Sequence, residues 1–377
     1  MNRTRAYLDW NATAPLRPEA REAMLRALDV TGNPSSVHGE GRAARRLVED
    51  AREQVAALAG ALPQDVIFTS GATEANTAVL RSRWTTIFAA GIEHDSVLAP
   101  LQASGALRRV IPVGRNGVAE ISGLGSSLAE ASAGSAIACL ATLQLANNET
   151  GAIQPVAALG ELARTHGVRS HTDATQAVGR IAVDFRGLGV DYLAFSSHKL
   201  GGPKGAGALI VREGALLTPW LTGGGQERRQ RAGTENVAAI AGFGAAAGAA
   251  QAGLTAYARL AVLRDGLEAE MARRSPDAVF VGRETARLAN TSCIALPGRS
   301  AETLVTALDL AGIAVSAGAA CSSGKVAASH VLQAMGLAPE INRGAIRVSI
   351  GPATTDNDIA AFLAAWTEIT RSAAKAA

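Results

Sequence analysis

Lys199 is the residue whose position in the sequence most clearly suggests a chemical role, because it follows an apolar run and precedes a glycine-rich loop. Residues 192–195 predict a short buried strand, and small polar residues and His198 separate it from the lysine. Burial lowers the pKa of an amine, and the neutral amine can attack a carbonyl group to form a Schiff base. The alternative is an ordinary loop lysine whose stem carries its charge into water.

A possible phosphate site follows another predicted strand. Residues 66–69 read as that strand, and residues 70–76 then open a helix. Free N–H groups at a helix N-terminus bind anions, although Thr73 could equally be a plain N-cap. The sequence contains neither a Walker A motif nor a complete dinucleotide glycine fingerprint. This favours a phosphorylated cofactor other than NAD or ATP.

Asp173 and His94 also come at or just after predicted strands. A carboxylate buried beside a pyridine nitrogen keeps that nitrogen protonated and makes the ring a better electron sink. Asp173 could instead cap the next helix. His94 could border the same site, or it could have a structural role only.

The three cysteines differ in their surroundings. Cys139 and Cys293 lie in apolar strand patterns, where a thiol behaves as a small hydrophobic group. Cys321 lies among Gly, Ala and Ser in 318–324, which predicts a loop thiol with the access that nucleophilic chemistry requires. It could also be an incidental loop cysteine. Arg347 alternates with apolar residues, so it is either an exposed strand residue or a cleft residue that binds a carboxylate through two hydrogen bonds.

Alternating strands and helices position these side chains. The pattern predicts an α/β domain with a mostly parallel sheet, and ligands of such sheets bind outside the carboxyl ends of the strands. The polar residues singled out above come at those ends. The predicted strands are 66–69, 86–90, 110–113, 137–145, one ending at 173, 192–196 and 208–211.

A different mixture of elements begins near residue 255. A long amphipathic helix over 254–273 is followed by strands at 290–296, 313–316 and 346–350 and by further helices, which predicts a smaller α+β domain. We therefore expect a large domain over 16–254 and a small domain formed by 1–15 together with 255–377.

Composition excludes several classes of protein. The 377 residues carry a net charge of only +3 with interspersed signs, which favours neither nucleic acid nor a membrane surface as a partner. Three widely spaced cysteines form neither a disulfide framework nor a metal site, so we expect no metal and a cytoplasmic location. The uncharged segment 237–258 is rich in Ala and Gly, which predicts a buried helix rather than a membrane span.

Taken together, the motifs resemble those of cysteine desulfurases in the aminotransferase class V family. The similarity is to the housekeeping iron–sulfur and nitrogen-fixation group, with the longer loop around Cys321. It covers nearly the whole chain through the segments 7–9, 33–38, 68–74, 93–94, 147–149, 171–176, 196–205, 223–227, 231–236, 320–323 and 346–349.

The resemblance implies a PLP-dependent transferase of fold type I, with pyridoxal 5'-phosphate (PLP) as its cofactor. Lys199 would attach to PLP and later move protons at the substrate. Asp173 would pair with the pyridinium nitrogen and Gln176 with the ring hydroxyl. His94 would stack on the ring and serve as an acid or base.

The resemblance also implies how the phosphate is held. Thr234 would reach the phosphate of the neighbouring subunit, which implies a homodimer. Within one chain, the residues implied are Ala72 through its backbone, Thr73, Ser196 and His198.

The implied substrate is L-cysteine, with its carboxylate on Asn148 and Arg347. Cys321 would attack the substrate sulfur, keep it as a persulfide and release alanine. The sulfur would then pass to an acceptor protein, either an iron–sulfur scaffold or a sulfur carrier. The alternative is another class V enzyme, such as a selenocysteine lyase or an aminotransferase. A PLP-fold protein that only binds or regulates would be expected to have lost Lys199, Asp173 or Arg347.

Overall fold

A seven-stranded, mostly parallel sheet forms the centre of the larger part of the molecule. The computed structural model describes residues 5–133, 138–318 and 328–374. The strand order is β2-β8-β7-β6-β5-β3-β4, and β8 alone runs antiparallel to its neighbours. The strands are β2 (Val66–Thr69), β3 (Thr86–Ala90), β4 (Leu107–Ile111), β5 (Cys139–Thr142), β6 (Arg169–Asp173), β7 (Tyr192–Ser196) and β8 (Gly207–Val211).

Helices cover both faces of this sheet, which is why the central strands β5 and β7 are buried along their whole length. Every residue of β7 is buried. One core joins Phe68 and Phe195 to Phe243, and a second core packs Val79 and Val97 against the sheet. The helices are α1 (Pro18–Leu28), α2 (Gly39–Ala59), α3 (Ala72–Leu80), α4 (Asp95–Ala103), α5 (Gly125–Ser132), α6 (Val156–Thr165), α7 (Phe185–Leu188) and α8 (Val237–Ala252).

The uncharged segment forms the buried helix α8, as predicted. A Cβ added to Gly244 would lie 2.6 Å from Ala51 Cα of α2, and one added to Gly242 would lie 2.5 Å from Met24 Cγ of α1. The glycines therefore allow α1, α2 and α8 to pack closely. Among the described residues no single helix is long and apolar enough to span a bilayer, and only the pair Val237–Ala252 and Leu254–Arg274, bent by 63°, would meet that criterion together.

The remaining residues form two smaller sheets around a separate core. An antiparallel sheet has the order β12-β13-β10-β9, and β1 pairs with β11 in parallel. Trp366 and Phe362 are fully buried and pack with Leu8, so the N-terminal segment belongs to this core. The elements are β1 (Ala6–Tyr7), α9 (Leu254–Ala258), α10 (Leu260–Arg274), β9 (Val279–Val281), β10 (Thr291–Ala295), α11 (Ala301–Leu310), β11 (Ile313–Ala314), β12 (Ser316–Ala317), α12 (His330–Ala334), α13 (Pro339–Arg343), β13 (Ala345–Ser349) and α14 (Asp356–Ala374).

Two predicted elements are divided in the structure. The long helix over 254–273 is broken at Arg259 into α9 and α10, and the strand over 313–316 is split between β11 and β12, which belong to different sheets. Among the described residues of the predicted strand 137–145, the regular strand β5 covers only Cys139–Thr142. Beyond it, the backbone N–H groups of Leu143 and Leu145 still donate to carbonyl groups of β6. The exact domain boundaries remain a prediction.

Candidate active site

The side chains at the carboxyl ends of the central strands surround a cavity of about 240 Å³. An adjoining cavity of about 380 Å³ shares four of its lining residues and also reaches Arg347, Glu149 and His330. Parallel strands end at the same edge of a sheet, which is why distant sequence motifs meet here. The smaller cavity is lined by Ala72, Thr73, His94, Ser96, Gln144, Ala146, Asn148, Asp173, Thr175, Gln176, Ser196, His198 and Lys199.

Lys199 occupies the end of a single 3-10 turn, Ser197–Lys199, immediately after β7. Its Nζ donates to the backbone carbonyl groups of Asn11 at 2.6 Å and Ala12 at 2.8 Å. Burial, reinforced by the charges of Arg347 and Arg180, lowers the pKa of Lys199 to about 7. The surface-lysine alternative is therefore wrong.

Asp173 is buried at the end of β6 with both carboxylate oxygens held. Oδ2 accepts from Asn76 Nδ2 at 2.7 Å, and Oδ1 accepts from the backbone N–H of Thr175 at 2.9 Å. The same amide of Asn76 donates to Ser96 Oγ at 2.9 Å. The carboxylate thus closes a turn and also lines the cavity in a fixed orientation. Sequence reasoning found Asp173 but missed Asn76.

The N-terminus of α3 opens into the same cavity. Its N-cap is Gly71, no side chain caps it, and Thr73 lies inside the helix, so the plain N-cap interpretation of Thr73 is wrong. The Ala72 N–H donates to Ser196 Oγ at 2.7 Å. Burial, with the positive charge of Lys199 adding to it, lowers the pKa of His198 to about 4, so its ring is neutral near pH 7. These groups form a site for an anion.

His94 combines the two roles that the sequence left open. Its Nδ1 accepts from the backbone N–H of Ser96 at 3.1 Å and caps α4. The ring is also open to both cavities. Desolvation by the surrounding protein lowers the pKa of His94, and the negative charge of Asp173 opposes this shift. Its ring is therefore available to contact a ligand while its other side holds the helix.

Arg347 is buried in β13, so the exposed-strand alternative is wrong. Its Nη2 donates to Asp9 Oδ1 at 2.8 Å, and its Nη1 donates to the backbone carbonyl of Asn148 at 3.0 Å. Arg347 Nε and Asn148 Oδ1 are buried and have no hydrogen-bond partner among the described residues. Unpaired polar atoms of this kind favour a ligand that supplies the missing partner.

Asn11 is a central residue that sequence reasoning missed. Its side chain donates to Thr291 Oγ1 at 2.9 Å and accepts from Arg180 Nη1 at 2.6 Å, while its carbonyl accepts from Lys199 and, at 3.1 Å, from Gln176. Asn11 is completely buried. The one available signal was a polar cluster after the first strand, which looked like a turn. Its distance of 188 residues from Lys199 hid the contact.

Sequence reasoning also gave no role to two buried acidic residues near the cavities, Glu93 and Glu149. Burial raises the pKa of Glu93 to about 8, and Glu93 Oε1 accepts from the backbone N–H of Gln144 at 2.8 Å. Burial likewise raises the pKa of Glu149, whose Oε2 accepts from Ser329 Oγ at 2.5 Å. Burial thus disfavours negative charge on both carboxyl groups, which reduces their competition with an anionic ligand for Lys199 and Arg347.

The structure supports two further statements about predicted residues and leaves one residue undescribed. Thr234 is exposed and does not line either cavity of this chain. Cys321 lies outside the described residues. Cys139 and Cys293 are buried and unpaired, as predicted. Among residues 5–133, 138–318 and 328–374, no group of three or more His, Cys, Asp or Glu side chains could hold a metal ion.

Comparison with known proteins identifies the family. The model of the family described as aminotransferase class-V matches residues 6–362. The chain belongs to this family, as one of its PLP-dependent cysteine desulfurases. A cysteine desulfurase of Cereibacter sphaeroides is 43% identical over 367 residues, covering 94% of this chain and 93% of that protein. These names favour desulfuration over the selenocysteine lyase and aminotransferase alternatives.

Further relatives agree. The cysteine desulfurase IscS of Dictyoglomus turgidum is 39% identical over 365 residues, covering 94% of this chain and 91% of that protein. The X-ray structure of a NifS-like protein from Rickettsia africae superposes with a TM-score of 0.90 at 34% identity, covering 97% of this chain and 99% of that chain. The fold is therefore the expected fold type I of PLP-dependent transferases.

The residues of the smaller cavity fit PLP. It contains an amine, a fixed carboxylate, an imidazole and a helix N-terminus, which match the aldehyde, the pyridine nitrogen, the ring face and the phosphate. Thr175 Oγ1 lines the cavity and is buried without a partner among the described residues, as expected where a ligand completes the site.

The lowered pKa of Lys199 predicts the pH dependence of cofactor attachment. Only the neutral amine attacks the PLP aldehyde, so the rate should rise with pH through about 7 and level off above about pH 8. The growth of the visible absorbance band after apoenzyme is mixed with PLP measures this rate. Nα-acetyl-lysine is the control, and its rate should keep rising toward its ordinary pKa of about 10. An enzyme profile that parallels the control would contradict a buried, low-pKa Lys199.

Asn11→Ala should lower kcat about tenfold, because it leaves Arg180 short of an acceptor and releases the carbonyl groups that hold Lys199. Those carbonyl groups favour the charged amine, so the midpoint of the attachment profile should also move to lower pH. Asn290→Ala is the matched control. It removes a different bond to Asn11, of 3.0 Å, without touching Arg180 or Lys199, and should leave the midpoint in place. A loss of thermal stability in Asn11→Ala without a shifted midpoint would make Asn11 merely structural.

Proposed function

We propose that this chain removes the sulfur atom of L-cysteine with the help of PLP and carries it as a persulfide on Cys321. The carbon–sulfur bond of the substrate breaks, sulfur joins the Cys321 thiolate, and Cβ gains a proton to give L-alanine. The observation that supports this best is the adjoining pair of cavities, which places Lys199 and Asp173 next to Arg347 and Asn148.

The substrate carboxylate is assigned to Arg347 and Asn148. Asp9 holds one end of the guanidinium at 2.8 Å and leaves its buried Nε unpaired. An arginine fixed in this way offers a carboxylate a charge-assisted hydrogen bond in a defined orientation. Asp9 therefore acts through Arg347 rather than on the substrate itself.

Lys199 is assigned the proton transfers at the substrate. PLP, when bound, withdraws electrons from the substrate Cα and makes the Cβ–S bond breakable. An amine with a pKa of about 7 exchanges protons readily near neutral pH, and the carbonyl groups of Asn11 and Ala12 give its charged form a resting position. Asp173, Gln176 and His94 are assigned to the cofactor ring.

Ala72, Thr73, Ser196 and His198 are assigned to the cofactor phosphate. They meet at the N-terminus of α3, where a phosphate oxygen would accept from backbone N–H groups and from the Ser196 hydroxyl. The neutral ring of His198 is a hydrogen-bond partner and adds no charge.

Cys321 is assigned the sulfur-accepting role from sequence and family. Gly318 and Ala328, the described residues on either side of its segment, both line the larger cavity. A short stretch of chain therefore joins the thiol to the rim of the proposed substrate site. From Cys321 the sulfur would pass to an acceptor protein, an iron–sulfur scaffold or a sulfur carrier, in the cytoplasm.

Replacement of Cys321 should separate cofactor chemistry from sulfur transfer. After brief exposure of the enzyme to L-cysteine, intact-mass spectrometry should show one added sulfur atom, and peptide mapping should place it on Cys321. Cys321→Ala should keep the PLP absorbance, gain no sulfur and lose at least about a hundredfold in sulfide release. Persulfide formation on Cys139 or Cys293 would refute the assignment.

The lysine that attaches PLP is tested with Lys199→Ala. Lys204→Ala, five residues further along the chain, is its matched control. Lys199→Ala should lose the absorbance band of attached PLP and the formation of alanine, whereas Lys204→Ala should retain both. The reverse result would move the cofactor attachment to Lys204.

We also infer a homodimer, supported by the exposed Thr234, which resembles the family's phosphate contact across subunits. Thr234→Ala should increase the Kd for PLP about tenfold, since one charge-assisted hydrogen bond is lost, while the dimer persists in light scattering. Thr73→Ala should have a similar effect from within the same chain. A monomer that binds PLP with unchanged affinity would exclude the shared site.

A further inference from the structure

A separate cavity of about 270 Å³ has Lys199 among its lining residues. Lys199 is the one residue that it shares with the two cavities of the active site. The cavity lies between the two parts of the molecule, a preferred place for ligands. Its walls are largely apolar and include Trp10, Leu16, Pro18, Leu200 and Pro352.

The cavity is strongly positive. Arg17 and Arg180 both line it, and none of its described lining residues is acidic. Arg180 is buried and donates only to uncharged oxygens, including Gln176 Oε1 at 2.5 Å and Asn11 Oδ1 at 2.6 Å. A buried guanidinium without a carboxylate partner is costly, and a nearby anion would reduce that cost.

Two polar groups at the cavity lack partners. Tyr257 is 5% exposed, and its hydroxyl makes no hydrogen bond to the residues that the structure describes. Arg17 donates through Nε to the carbonyl of Leu200 at 2.8 Å, which leaves its terminal nitrogens without partners in the described part of the chain. Burial lowers the pKa of Arg17 and raises that of Tyr257.

The position of Arg17 is built into the backbone. Gly201 has a φ of +89°, and a Cβ there would lie 2.6 Å from Arg17 Cγ. Glycine thus lets the arginine side chain lie across the loop after Lys199. Arg17 is also the N-cap of α1, whose positive end favours an anion. The donors are therefore held in place before any ligand arrives.

We propose that this cavity binds a small organic monoanion with an apolar body, of the alkyl carboxylate class. The carboxylate would accept from the terminal nitrogens of Arg17 and from the Tyr257 hydroxyl. Its chain would pack against Trp10, Leu200 and Pro352. Arg180 also donates to Gln176 and Asn11, and the Asn11 carbonyl accepts from Lys199. Arg180 would therefore connect a bound anion to the residue that holds Lys199.

Octanoate is the probe that tests this site on the PLP-loaded enzyme. Isothermal titration calorimetry should give a Kd of about 1 mM or tighter, and at least about tenfold weaker binding of octanol and octylamine. Arg17→Met keeps the stem across Gly201 but removes the charge, and should weaken octanoate about tenfold. Tyr257→Phe should weaken it less. Arg21→Met, on the exposed face of α1, is the matched control and should bind as the unaltered enzyme does.

The substrate site must be distinguished from this one, because Arg347 also recognises carboxylates. Octanoate binding should survive in Arg347→Met and in the presence of saturating L-alanine. The proposal is overturned if Arg347→Met abolishes binding, if octanol binds as tightly as octanoate, or if Arg17→Met and Arg21→Met have the same affinity. Because binding is measured directly, a failed desulfurase assay would leave this result standing, and the reverse also holds.

Discussion

The amine of Lys199 rests on the carbonyl groups of Asn11 and Ala12, and the rest of the active site is arranged around this contact. A buried ammonium group without acceptors is strongly disfavoured, so the two short hydrogen bonds are needed whenever the amine is charged. They bring a segment near the N-terminus to the carboxyl end of β7. Bonds from Asn11 to Thr291 and Arg180 then tie this segment to both parts of the molecule.

Charge is distributed so that two anionic groups can bind near each other. Lys199, Arg347 and Arg180 are positive or readily become so, while burial lowers the pKa values of His94 and His198 and raises those of Glu93 and Glu149. Asp173 is a buried carboxylate whose two oxygens are both hydrogen-bonded. This pattern suits a cofactor with a phosphate at one end and a protonated ring nitrogen at the other, beside a substrate carboxylate.

Much of the site could be predicted because parallel strands end at a common edge. Asp173, His94, Thr73 and Lys199 each lie at or just after the end of a strand, so the α/β pattern alone placed them together. Arg347 was ambiguous, since alternation along β13 predicts one exposed face. In the structure every residue of β13 is buried, and Asp9 accepts from one end of the Arg347 guanidinium. A side-chain contact between residues 338 positions apart cannot be read from local periodicity.

By itself, the sequence determined the α/β architecture and the family and singled out Lys199 as the candidate PLP lysine, because these depend on local patterns and ordered motifs. Only the tertiary structure decided that Asn11 and Ala12 accept from Lys199, that Asp9 orients Arg347, and that Arg17 and Tyr257 share a positive cavity. Such contacts join residues far apart in the chain. Their strength comes from burial and exact orientation, which exist only after both cores have formed.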